Sequence, residues 1–234
     1  MGRSHPSPRR VALLIEASRA YARGLVRGVA QYNREHREWS TTFTPRGLDD
    51  PPPVWLRDWS GDGILARIED RRTARAVAAK GVPVVELRRA IRGLGFPSIG
   101  PDDEAVARLV LEHFLGRGFR HFAFVGVPRG SHPSMDARAE HFLRLVTEAG
   151  LACDRFHFFP LGRRDGEKRP RRSVLPWLRT LPKPAALMAC SDDVGLTVLN
   201  ACQRAGILVP DEIAVAGVGN DDCLCNLAVP PLTS

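Results

Sequence analysis

Short apolar runs alternate along the chain with longer amphipathic ones. Val11-Ala12-Leu13-Leu14-Ile15 is continuously apolar with β-branched members, the pattern of a strand buried on both faces. It closes in Glu16-Ala17-Ser18-Arg19, and apolar positions Leu25, Val26, Val29 and Ala30 predict a helix over about 21–36. Further strands are predicted at 41–44, 63–66, 82–87 and, shorter, 96–99. The stiff Pro51-Pro52-Pro53 connector precedes a short helix carrying Trp55 and Trp59, and an alanine-rich helix spans 71–80. Beyond it, a helix over 102–115 ends at Gly116 and Gly118. A strand at 121–125, a helix over 135–149 and a strand at 156–159 follow, then a polar, arginine-rich loop over 161–172. Pro176 fits only the first turn of a helix over 174–181. Pro184-Ala185-Ala186-Leu187-Met188 is again strand-like, a helical run extends from Thr197 to Ala205, and Ile213 to Val218 is the last strand.

Alternating helices and nearly unbroken apolar strands imply an α/β fold with parallel sheet covered by helices. A break near 116–120 divides the series into two units of similar size. The expected organisation is a flexible tail over 1–10, an N-terminal α/β lobe over 11–119, a C-terminal α/β lobe over 120–226, and a crossover beginning at 227–234.

At 234 residues the chain is long enough for one large or two small domains, and 44% apolar and 26% charged residues are ordinary for a soluble globular protein. The net charge of +8 is almost all arginine, since Lys80, Lys168 and Lys183 are the only lysines. The arginines are scattered; denser groups such as Arg71-Arg72 and Arg163-Arg164 lack aromatic interleaving or a base-reading module, so a solvated surface is expected over a nucleic-acid face. Cys153, Cys190, Cys202, Cys223 and Cys225 include no CxxC pair, so reduced thiols in a cytoplasmic protein are expected rather than zinc or a disulfide framework. Cys223-x-Cys225 has no further ligand nearby in sequence. The apolar run after Arg9-Arg10 is too short for a signal segment or a membrane span.

Candidate chemistry gathers where strands give way to helices, since ligands of open α/β sheets bind outside the carboxyl ends of the strands. Ala189-Cys190-Ser191-Asp192-Asp193-Val194-Gly195-Leu196 is such an elbow. Its adjacent carboxylates can accept hydrogen bonds from a polyol. Asp102 and Asp192 are each either a ligand contact or a helix cap. Ser18, Arg19 and Tyr21 form the first elbow, with Tyr21 either stacking on a sugar ring or packing. Arg67 follows the third strand, facing a ligand or pairing with Glu69 or Asp70. Arg138 can donate a fork of hydrogen bonds to vicinal hydroxyls, or lie on the surface. His113 reads as a helix-packing residue. Gly126-x-x-x-Gly130 and Gly217-x-Gly219 match no phosphate loop, and no nucleophile elbow is present. Neither an enzyme nor a cofactor is indicated.

Val82-Pro83-Val84-Val85, Asp102 heading a helix, and Glu112 through Phe124 resemble the effector-binding domain of the lactose-repressor family. Arg138-Ala139-Glu140-His141-Phe142 resembles its Arg-x-x-Gly-Phe segment, with His141 in the glycine's place, and Ser191-Asp192-Asp193-Val194-Gly195 its (Asn/Ser)-Asp-x-x-Ala/Gly segment. Ala17-Ser18-Arg19-Ala20-Tyr21, Arg23-Gly24-Leu25, Trp39, Pro45-Arg46-Gly47, Trp59 and Gly61 through Ala66 are similar to the xylose operon regulators. The resemblance covers nearly the whole chain. It implies the periplasmic-binding-protein type I fold, two Rossmann-like lobes with parallel sheets that close over a sugar, here C-terminally incomplete. It further implies a homodimer whose effector is D-xylose or a related pentose, and DNA contact only through an AraC-type domain beyond this chain. By the motif match Asp192 and Arg138 are ligand partners. The family's last strand runs Gly-x-Asp-(Asn/Asp), with the Asp on the sugar. Gly219 stands at that acid here, with Asn220 or Asp221 as substitutes if the loop shifts. Three rivals remain: a transport-type solute-binding protein of the same fold, an α/β enzyme acting on a sugar or nucleotide, and direct DNA binding by the arginines.

Overall fold

The computed structural model describes residues 7–47, 50–130, 132–157 and 173–234. The chain divides into two compact units, Met1–Gly100 and Pro101–Ser234.

The first unit carries β1 (Arg9–Leu14), α1 (Ala20–His36), β2 (Trp39–Phe43), a 3-10 turn (Val54–Arg57), β3 (Gly63–Ala66), α2 (Arg71–Ala78) and β4 (Val84–Glu86). All pairings are parallel, in the order β2-β1-β3-β4. β1 is interior to this sheet, which is why its run is apolar without a break. Alternate side chains serve opposite faces. Ala12 and Leu14 join Ile64, Ala66 and Val84 against Ala74 and Val77 of α2, with Leu56 and Trp59 beside them. Val11, Leu13 and Ile15 pack with Ala22 of α1 and with Leu87. β2, at the sheet edge, has no fully buried position.

The second unit contains α3 (Asp103–Gly116), β5 (His121–Gly126), α4 (Pro133–Glu148), β6 (Cys153–His157), α5 (Leu175–Thr180), β7 (Ala185–Ala189), α6 (Asp192–Ala205), β8 (Ile213–Ala216) and α7 (Asp222–Leu227). Its sheet is again wholly parallel, ordered β6-β5-β7-β8. Every residue of β7 and β8 is buried. Phe122 and Phe124, two apart on β5, face one ring of α4: their centroids lie 6.3 and 6.2 Å from that of Phe142.

Several expected boundaries shift. Arg9 and Arg10 belong to β1 rather than to a tail, since the Arg9 and Arg10 positions pair with Trp39 and Ser40. Residues 96–99 form no strand; a single bridge joins Ser98 to Glu86. Trp55 sits in one 3-10 turn, and Trp59 lies beyond it. β6 starts at Cys153, earlier than expected, and the arginine-rich loop over 161–172 lies outside the described residues. α6 begins at Asp192, so the polar elbow is its own first turn. α7 had no hydrophobic run to announce it. The units part before α3 and not after it, because α3 packs along α4. Residues 227–234 stay with the second unit: Leu232 is buried in its core, and Thr233 bridges to Ala216.

Gly28 lies mid-helix in α1 with open space where a Cβ would stand. Gly28→Ala is expected to stabilise the first unit by about 0.5–1 kcal/mol through helix propensity and reduced unfolded-state freedom. Urea denaturation followed by tryptophan fluorescence reads this, since Trp39, Trp55 and Trp59 report on that unit.

Candidate functional site

Parallel strands deliver their carboxyl ends to one edge of a sheet, and in the first unit that edge is heavily charged. Glu16, just past β1, is 3% exposed. Its Oε2 accepts from the Ser18 N–H at 2.8 Å, the Ser18 hydroxyl at 2.7 Å and the Arg19 N–H at 3.2 Å. Its Oε1 takes the Arg67 guanidinium in a buried ion pair. Arg67 follows β3 directly and its N–H continues the ladder to the Leu14 carbonyl. The same guanidinium lies over the Tyr21 ring, 5.4 Å from its centroid, a cation–π arrangement. Arg23 closes the elbow from α1, donating to the carbonyls of Ala17 and Ser18.

Beside this cluster, Arg88 Nε lies 2.6 Å from Glu69 Oε2. Burial raises Glu69 above the ordinary carboxylate range, against the pull of Arg88 and Arg67. Burial likewise lowers Arg88, with Glu69 opposing and Arg67 and Arg19 adding to the shift. Glu86, ending β4, is 3% exposed and accepts the N–H groups of Ile68, Arg88 and Arg89.

In the second unit the elbow after β7 is organised around Asp192, also 3% exposed. Its Oδ2 accepts the Asp221 N–H at 2.8 Å and its Oδ1 the Ser234 hydroxyl at 2.6 Å. The Asn220 N–H in turn donates to Ser234 Oγ. Two glycines make room for this carboxylate. A Cβ on Gly217 would stand 2.4 Å from Asp192 Oδ1, and one on Gly219 2.9 Å from Oδ2, where φ is +135°. Arg138, 7% exposed, directs Nε and Nη2 at Asp103 Oδ1 (3.2 and 2.8 Å) and Nη1 at the Cys190 carbonyl. It fastens α4 to the start of α3 and to the elbow before α6.

The expected site residues therefore fall into distinct settings. Ser18, Arg19, Tyr21 and Arg67 meet around Glu16. Asp192, Asn220 and Asp221 meet around Ser234. Arg138 takes Asp103 and the Cys190 carbonyl as its partners. Arg67 pairs with Glu16, where Glu69 or Asp70 was the simpler expectation. Asp102 is exposed and caps α3, accepting from the N–H groups of Glu104 and Ala105; Asp221 caps α7 through the Cys223 N–H. Glu16, Glu69, Glu86, Arg88 and Asp103 were not singled out from sequence. A usable signal existed for Glu16, an acid immediately after a wholly apolar run.

All five cysteines are free. Burial pushes Cys153 up to about 12 and Cys202 to about 11, which leaves both thiols protonated and unreactive at neutral pH. Among the described residues no group of three or more metal-ligating side chains is assembled. Nor is any helix long and apolar enough to cross a membrane.

Two all-parallel α/β units in one chain, each a four-stranded sheet, are the architecture of the periplasmic-binding-protein-like fold. The chain belongs to the periplasmic binding protein-like domain family, whose model matches residues 111–234, and the XylR N-terminal domain model matches residues 10–93. It is 28% identical over 236 aligned positions to the xylose operon regulatory protein of Escherichia coli (strain K12), which covers 96% of this chain and 58% of that protein. The solved structure of the xylose-binding transcription activator XylR aligns with a TM-score of 0.76 at 25% identity, over 92% of this chain and 55% of that one. A periplasmic binding protein/LacI transcriptional regulator from Alkaliphilus metalliredigens, complexed with D-xylulofuranose, shares the fold, with a TM-score of 0.71 at 17% identity over 95% and 82%. The chain thus spans somewhat over half the length of the xylose regulators it matches.

Two substitutions probe the geometry. Glu16→Gln leaves the Arg67 cation buried beside a neutral amide and is expected to cost about 3–5 kcal/mol, read by urea denaturation on tryptophan fluorescence. Gly219→Asp, which restores the acid of the lactose-repressor pattern, places a Cβ at a strained φ and a second carboxylate against Asp192. It should lower stability by about 1–3 kcal/mol in the same assay.

Proposed function

We propose that this chain is the effector-binding portion of a sugar-responsive transcription regulator and acts by binding rather than catalysis. The observation that carries the reading is the Glu16–Arg67–Tyr21 constellation at the carboxyl ends of β1 and β3, inside the segment that matches the XylR N-terminal domain. A rigid guanidinium fork fixed by a buried carboxylate can donate to vicinal hydroxyls. Tyr21, 40% exposed, offers an aromatic face to the apolar side of a sugar ring. Ser18 and Arg19 complete the elbow through their bonds to Glu16. The xylose-binding relative and the xylulofuranose complex favour a pentose as the effector. In this reading the protein is cytoplasmic and homodimeric, and it reaches DNA through a region other than this chain.

A binding effector would shift populations between conformations in proportion to its differential affinity for them. It would also raise the melting temperature by mass action, by about 2.7 kcal/mol of stability at a hundredfold excess over Kd. Calorimetric titration and thermal melts with D-xylose, D-xylulose and D-ribose test this. Saturable heat and a raised Tm are expected for at least one. Tyr21→Ala, at an exposed position, should weaken that binding roughly three- to tenfold, from an aromatic contact of about 0.5–1.5 kcal/mol. Absence of any response to all three sugars contradicts a neutral pentose as the effector.

A further inference from the structure

At the carboxyl edge of the first sheet Glu16 and Glu86 are spent, whereas three arginines each keep a buried Nε without a hydrogen bond. Glu16 accepts from the Ser18 N–H and hydroxyl, the Arg19 N–H and Arg67. Glu86 accepts from three backbone N–H groups. A carboxylate presents about four lone-pair positions, so little acceptor capacity remains on either. The guanidiniums of Arg46, Arg67 and Arg88 each hold a buried Nε with no hydrogen-bond partner; Arg88 meets Glu69 as an ion contact without hydrogen-bond alignment. Against these donors, among the described residues, stands the buried Glu69 Oε1, also without a hydrogen-bond partner.

The three arginines belong to one neighbourhood. Arg46 follows β2, and its carbonyl accepts the Ala17 N–H. Arg46, Arg67 and Arg88 all act on the Glu69 charge, and Arg67 and Arg19 both act on that of Arg88. Every hydroxyl of a neutral sugar carries a proton that needs an acceptor, whereas a carboxylate or phosphate presents acceptors alone. Buried donors without partners carry a desolvation cost that an anion would offset.

We propose that the effector is an anionic sugar derivative whose carboxylate or phosphate is held by Arg46, Arg67 and Arg88 at the carboxyl ends of β2, β3 and β4. This deepens the sugar-sensing reading and rests on it. The test is calorimetric titration of the chain with D-xylose, D-xylonate and D-xylulose 5-phosphate, with inorganic phosphate as the bare anion. One of the two anionic derivatives is expected to bind at least tenfold more tightly than D-xylose, with an affinity that falls as sodium chloride is added. Which of the two it is identifies the charged group. Arg88→Gln should shrink the preference to about twofold or less; if that variant does not fold, Arg46→Gln gives the same readout. A preference below tenfold, or D-xylose as the tighter ligand, overturns the anionic effector and leaves the sugar sensor standing. Inorganic phosphate binding as tightly as the sugar phosphate also overturns it. No binding by any compound overturns both.

Discussion

A carboxylate in a protein interior must be surrounded by donors, and Glu16 sets this condition at the end of the interior strand β1. Stranding such a charge costs several kcal/mol, so the groups that satisfy it are held to narrow positions. They come from the turn into α1 and from the residue after β3. One side chain thereby ties the start of α1 to the neighbouring strand and fixes the plane of the Arg67 guanidinium. Tyr21, at the start of α1, then lies under that guanidinium.

The second unit meets the same condition differently. Among the described residues Asp192 is satisfied by a backbone N–H and a hydroxyl, and glycines at 217 and 219 let the loop after β8 approach. Arg138 neutralises Asp103 and binds the Cys190 carbonyl. Each sheet thus ends in buried charge, with the first unit rich in donors and the second closed upon its own acid.

Most of the fold was legible because buried parallel strands are written as continuous apolar runs. β1, β3, β5, β7 and β8 all stand out in this way. Edge strands were harder, since β2 and β6 bury little, and α7 is short and lacks an apolar stripe. The family motifs fall on elbows where buried charge collects. Partners within the elbows were not legible. The Arg67–Glu16 pair spans a large sequence separation, and a carboxylate satisfied by backbone N–H groups leaves no mark in composition. The boundary at 100/101 was hidden because a glycine-marked helix end resembles a domain border, while only tertiary packing reveals that α3 lies along α4.

That packing decides where the chain can be divided. The Arg138 guanidinium needs Asp103 at the head of α3, and Arg144 reaches Glu104 on the same helix. A fragment begun at residue 120 would discard both carboxylates together with the Leu111 and Phe114 side chains that complete the core. It would leave a buried cation without its counter-charge. The second unit is a separable piece of protein only when cut at Pro101, with α3 carried along as part of its interior.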